Sequence, residues 1–204
     1  SRVDYHVLYL TFLKQHFTAE NLRGGQVALN GLNGTAATMA ELVATEFELP
    51  VTWFRKSPGP IPEQGADPAN PRLAEEMHGF MRGGGFSLGV AWDGDCDRCV
   101  CFDGSGELIP TYYLVGLLVD HFLTQKPGGA IVFDTKLCWN TLAMIKRRGG
   151  KALPSETGHS FIKQKLHHSR AVYGGELSGL HYYLDFLCWH SGLFALLLSL
   201  TLLH

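Results

Sequence analysis

Asp93-Gly94-Asp95-Cys96-Asp97-Arg98 sets three carboxylates at alternate positions directly after an apolar run, Phe86 to Trp92. That run is bounded by glycines and reads as a buried strand. Carboxylates crowded at a strand end repel one another, at a cost of about 4 kcal/mol per pair at ~4 Å and an effective dielectric near 20. A cation among them would remove that cost. Oxygen-only ligands select a hard divalent ion, Mg²⁺ foremost, which keeps positions open for water or phosphate. The other reading of the hexapeptide is a polar turn after a strand, with Asp present because it suits turns.

Two rival metal readings fail on spacing. An EF-hand loop needs Gly at its sixth position and a bidentate Glu at its twelfth, where this chain has Arg98 and Gly104. Cys96, Cys99 and Cys101 raise the question of zinc, but no second Cys/His pair follows at finger spacing. Cys99 and Cys101 alternate with Val100 and Phe102, as a following strand would have them.

The elements that position this loop follow from periodicity and turn chemistry. Tyr5 to Phe17 reads as a leading helix, Gln26 to Leu29 as a strand, and Ala36 to Phe47 as a helix after a Gly-rich turn. That turn lacks both G-x-G-x-x-G and the lysine of a P-loop, so tight βα packing is its expected role. Pro50 to Pro71 reads as irregular loop, and Arg72 to Phe80 as a short helix. Gly104-Ser105-Gly106 is a turn, and Leu108 to Leu123 includes a long helix. Ala130 to Phe133 is a strand, Trp139 to Arg148 a helix, and Lys151 to Pro154 a strand. Phe161 to His167 is a helix before a strand at Val172-Tyr173. Strand–helix alternation implies α/β layers, divided at a boundary near 104–111. Phe194 to Leu203 is too short to span a bilayer and reads as a core helix.

The composition bounds the rest. The chain has 204 residues, 46% hydrophobic and 18% charged, with a formal net charge of −2. That charge argues against a general nucleic-acid binder. Five cysteines without disulfide-framework spacing suit a reducing cytoplasm. No signal-peptide pattern opens the sequence, and no membrane role is expected.

The motifs carry a resemblance. Trp92 to Arg98 resembles the metal-binding loop of the α-D-phosphohexomutases. Gly175-Glu176-Leu177-Ser178-Gly179 resembles the family's sugar-binding loop, and Thr157-Gly158-His159-Ser160-Phe161-Ile162-Lys163 a third family segment. Tyr112 to Leu118 and Trp139-Asn140-Thr141 are similar to bacterial phosphomannomutases in particular. The similarity runs from about Asn21 to the C-terminus, with the motifs in family order. Of the family's four domains the chain resembles the second, at 1–107, and the third, at 108–204. The resemblance implies an α/β fold of two consecutive α/β/α layered units with mixed sheets.

It also implies roles. Asp93, Asp95 and Asp97 would hold Mg²⁺. Arg98 would steady phosphate oxygens or, equally, make a salt bridge within the loop. Glu176 and Ser178 would grip sugar hydroxyls of a hexose phosphate. Lys136 and His159 match family positions near the reacting oxygen, although a solvated lysine is the plainer role for Lys136. His167, His168 and His204 have no motif support and read as surface residues.

In the family mechanism a phosphoserine in the first domain donates its phosphoryl group, and a sugar bisphosphate turns over in the site. Mannose 6-phosphate and mannose 1-phosphate are the expected substrates. Phosphoglucomutase activity, a non-catalytic sugar-phosphate-binding module and a Mg-dependent phosphatase are the alternatives. No nucleophile segment matches, so the chain alone is expected not to complete the reaction. The family's sugar loop continues with His where this chain has Leu180, which puts sugar affinity in question, though His181 follows. Surfaces facing missing domains would lie open, the Phe194 to Leu203 run above all, and favour a homo-oligomer.

Overall fold

The structure is a computed structural model and describes residues 4–203. The chain forms two compact units. The first runs from the start of the described chain to Cys96, adds Cys101–Leu108, and takes in the segment from Leu193 onward; the second is Asp97–Val100 with Ile109–Gly192.

The first unit opens with α1 (Tyr5–Leu13), capped by Asp4, whose carboxylate accepts from the His6 amide at 3.0 Å. The helix is shorter than its apolar periodicity implied, ending in turns before Phe17. Then come β1 (Gln26–Asn30), α2 (Ala36–Glu46), β2 (Val51–Phe54), α3 (Pro71–Met81), β3 (Phe86–Trp92), β4 (Cys99–Phe102) and β5 (Leu108–Ile109), and the sheet runs in the order β2-β1-β3-β4-β5. α3 starts where its sequence requires. Asn70 accepts from the Arg72 amide at 2.9 Å, and Pro71 takes the first helical position, where a missing N–H costs nothing.

β2 corrects the reading of Pro50–Pro71 as irregular throughout. Val51 to Phe54 pairs in parallel with β1 from Val27 to Asn30. Pro50 sits just before the strand and its carbonyl accepts from the Val27 amide at 2.8 Å. A proline is tolerated there because it precedes an edge strand.

The second unit contains α4 (Thr111–Gln125), β6 (Ala130–Asp134), α5 (Cys138–Arg147), β7 (Lys151–Ser155), α6 (His159–Ser169), β8 (Tyr173–Gly175), β9 (His181–Tyr183) and β10 (Trp189–His190). Its sheet order is β10-β9-β8-β6-β7. β6 pairs in parallel with β7 and β8, whereas β8–β9 and β9–β10 are antiparallel, so the sheet is mixed. α6 buries Ile162 and Leu166, four residues apart on one face, against Val132 of β6. Each such burial contributes about 2 kcal/mol.

The last helix, α7 (Gly192–Thr201), packs within the first unit. Phe194 meets Phe17 edge-on at 5.0 Å, and the Ser199 hydroxyl lies 3.5 Å from Cys101 Sγ on β4. Leu193 to Leu200 is buried throughout. The expectation of an uncovered Phe194–Leu203 run is therefore corrected: α1, its following turn and β4 cover it. Exposure rises only at its end, from Thr201 to Leu203. Among the described residues no helix is long and apolar enough to cross a membrane, and no disulfide joins the cysteines.

Candidate functional site

The aspartate loop begins where β3 ends. Asp93 is buried, Asp97 half-buried and Asp95 exposed. The Cys96 amide donates to the Asp93 carbonyl at 3.2 Å, and Cys96 itself is left-handed, with φ +65°. This tight turn brings one oxygen from each of Asp93, Asp95 and Asp97 within 4.8 Å of one another. Among the described residues no other His, Cys, Asp or Glu cluster converges this way. The donor set is all carboxylate, which fits Mg²⁺ and not the softer zinc. Cys99 and Cys101 are buried in β4 instead.

The Gly-rich turn after β1 is built against this loop. The Gly94 carbonyl accepts from the Thr35 amide at 2.9 Å and from the Thr35 hydroxyl at 3.2 Å. A Cβ on Gly34 would fall 2.4 Å from that same oxygen, so glycine is there for close approach, as the packing role required.

Within the second unit, the exit of the aspartate loop runs beside the glycine-rich Glu176 loop. Arg98 bridges Leu180 in antiparallel fashion, and the Cys99 amide donates to the Gly179 carbonyl at 2.9 Å. Gly179 has φ +89°, and a Cβ there would meet the Cys99 carbonyl at 3.0 Å. The Glu176 amide donates to Leu180 and the Gly179 amide to Glu176, closing the loop. Ser178 is exposed, whereas Glu176 is buried and accepts a short hydrogen bond from the Tyr182 hydroxyl. Burial and the Glu176 carboxylate both hold the Tyr182 hydroxyl far above its ordinary range.

Lys136 and His159 stand on two loops tied together by Asp134, buried at the end of β6. One Asp134 oxygen accepts from the Lys136 amide at 3.0 Å and from the Thr157 hydroxyl at 2.8 Å. Lys136 is exposed in a 3₁₀ turn, Thr135–Leu137. His159 is exposed at the first position of α6, after Gly158 at φ +129°.

His181 does not stand in for the histidine missing at Leu180. Its Nδ1 lies 2.7 Å from the Tyr173 hydroxyl, its ring stacks on Tyr173, and burial pushes its pKa down to about 4. Leu180 packs in the core of the second unit. His167 and His168 are exposed, as read; His204 lies outside the described residues.

Three site neighbours gave no sequence signal beyond their type. Asp134 carried only its position at a strand end. Tyr182 reads as an ordinary strand aromatic. His190 belongs to no motif, yet its Nε2 stands 3.3 Å from Asp97 Oδ2. Lys163, in the third motif, lies over the Trp189 ring at 4.3 Å. Burial lowers its pKa, and the nearby Asp97 offsets part of that effect.

Known proteins are similar to this chain in sequence and fold. The alpha/beta/alpha domain II of phosphoglucomutase/phosphomannomutase matches residues 7–106, and domain III matches residues 110–204. A Xanthomonas campestris protein named for phosphohexose mutases is 38% identical over 97% of this chain and 44% of its own length. The phosphomannomutase of Escherichia coli K12 is 34% identical over the same shares. The chain thus spans less than half the length of these relatives. A solved phosphoglucomutase/phosphomannomutase family protein from Burkholderia thailandensis shares the fold at a TM-score of 0.91 and 23% identity, over 99% of this chain and 44% of its own. An Aspergillus fumigatus N-acetylphosphoglucosamine mutase, solved with GlcNAc-6P and magnesium, shares it at 0.67 and 13%, over 98% and 50%. With both domain models matched in order along nearly the whole chain, it belongs to the phosphoglucomutase/phosphomannomutase family.

Proposed function

We propose that this chain supplies the metal-holding and sugar-binding loops of a phosphohexomutase that interconverts mannose 6-phosphate and mannose 1-phosphate. The observation that carries the reading is the convergence of three carboxylates within 4.8 Å at the end of β3. The backbone pairing of Arg98 and Cys99 with the Glu176 loop adds to it. Asp93, Asp95 and Asp97 would hold Mg²⁺, which when bound neutralises charge on a transferring phosphoryl group.

The other roles belong to this chain's own side chains. Arg98, half-buried beside the carboxylates, offers a planar fork to phosphate oxygens. Glu176 accepts from sugar hydroxyls, and the exposed Ser178 can donate or accept. Lys136 donates to the reacting oxygen. His159, exposed at a helix start, is the group placed to give or take that oxygen's proton. The phosphoryl donor is a phosphoserine in the part of the enzyme outside this chain. A reducing cytoplasm suits five cysteines that form no disulfide. The burial of α7 removes the ground for a homo-oligomer through that helix.

The test is a chimera in which this chain replaces the matching segment of the Escherichia coli phosphomannomutase, assayed with mannose 1-phosphate and with glucose 1-phosphate. Turnover of mannose phosphate is expected, with about 10²–10³-fold loss on Asp93→Asn, the equivalent of several kcal/mol. Turnover of glucose phosphate alone would redirect the substrate assignment. A folded chimera with no isomerase activity, or phosphate release by the chain by itself, would overturn the mutase reading.

A further inference from the structure

His190 takes no part in the roles above, yet it is held firmly. It lies on β10 in register with Tyr182 of β9, and the two rings meet edge-on with centroids 5.4 Å apart. Its side chain is only 17% exposed, and its Nε2 stands 3.3 Å from Asp97 Oδ2.

The aspartate loop creates a need for such a neighbour. The backbone fixes where Asp93, Asp95 and Asp97 begin, through the Cys96–Asp93 turn and the left-handed Cys96. It does not fix the side-chain torsions of Asp97. Three carboxylates within 4.8 Å repel, and the simplest relief is for Asp97, at the end of the turn, to rotate away. A donor on one of its oxygens opposes that rotation.

Lys163, Tyr182 and His190 are groups able to donate that act on Asp97, and the Tyr182 hydroxyl is already given to Glu176. Lys163 acts on it electrostatically, but its ammonium rests over the Trp189 ring on a flexible stem. His190 stands at donor distance, on a paired strand with its ring packed against Tyr182. We infer that His190 is a positioning residue for Asp97: its Nε2–H holds Oδ2 and so keeps the three carboxylates converged. A neutral imidazole suffices, since it needs only the N–H. The inference rests on reading the aspartates as the Mg²⁺ ligands, and it concerns the group that orients one of them. Outer-shell partners of metal-ligating carboxylates typically contribute 10–100-fold to metal affinity.

The test is calorimetric titration of the intact chain with Mg²⁺ and with Mn²⁺, on wild type, His190→Ala, His190→Asn and His190→Gln. Thermal melts identify the variants that fold. Glutamine places an N–H close to where Nε2 lies, whereas asparagine places it nearer Nδ1. We expect wild type and His190→Gln to agree within about threefold, and the Ala and Asn variants to bind about 10–100-fold more weakly. In an Asp97→Asn background the four should no longer differ. Equal affinity in all four, or equal loss in Gln and Asn, overturns the positioning role. Should His190→Ala fail to fold, the Gln–Asn pair decides alone. A wild-type chain that binds neither ion overturns the aspartate reading itself, and this inference with it.

Discussion

The Tyr182 hydroxyl donates to the Glu176 carboxylate, and both side chains are buried. Tyr182 points from β9 back to the glycine-rich loop that precedes it, so the strand fixes the carboxylate that the loop presents. A carboxylate held by one donor keeps its remaining lone pairs available to a hydroxyl-bearing ligand.

Tyr182→Phe should therefore cost about 1–3 kcal/mol in urea unfolding, because a buried carboxylate loses a donor. In the chimera it should raise KM for the hexose phosphate more than it lowers kcat. The pH dependence has a fixed sign. The Tyr182 pKa is raised, by burial first and Glu176 second. Its contribution is thus complete below the unfolded tyrosine value near 10 and is lost as pH rises beyond it. Wild type should lose more stability between pH 9 and 11 than Tyr182→Phe does. Parallel curves would contradict this.

His181 gives the opposite slope. Burial depresses its pKa from 6.5 to about 4, so its contribution is present above 6.5 and lost as pH falls from there toward 4. That fall corresponds to about 3 kcal/mol. His181→Gln should be less stable than wild type at pH 8, because Tyr173 loses its ring partner, yet should show a flatter stability curve between pH 6.5 and 4. The difference between the two curves isolates His181 from the other histidines.

Gly34→Ala tests how the βα turn supports the aspartate loop. Its Cβ would meet the Gly94 carbonyl at 2.4 Å, and backbone on both sides leaves little room to give. We expect about 1–3 kcal/mol of destabilisation, as in other overpacked sites, together with weaker Mg²⁺ binding from a displaced loop. A stable variant with unchanged affinity would separate the turn from the site.

The sequence carried what is local. The aspartate loop was legible because three carboxylates at alternate positions after an apolar strand have few cheap explanations. The Glu176 loop was legible through its flanking glycines and the family resemblance. β2 was hidden by the prolines around it. β9 and β10, at three and two residues, are too short to show a two-residue period. The cover of α7 was illegible because Phe12, Phe17 and Cys101 meet it from far along the chain. The same holds for His190, whose contact with Asp97 exists only once β10 joins the sheet. The sequence left His181 undecided beside the sugar-loop motif, and packing against Tyr173 makes it core.

The most direct measurement of the central claim is calorimetric titration of the chain with Mg²⁺, before and after changing Asp93, Asp95 and Asp97 together to Asn. One site per chain in the wild type and no measurable heat of binding in the triple variant is the predicted result. Equal binding by the two forms would contradict it.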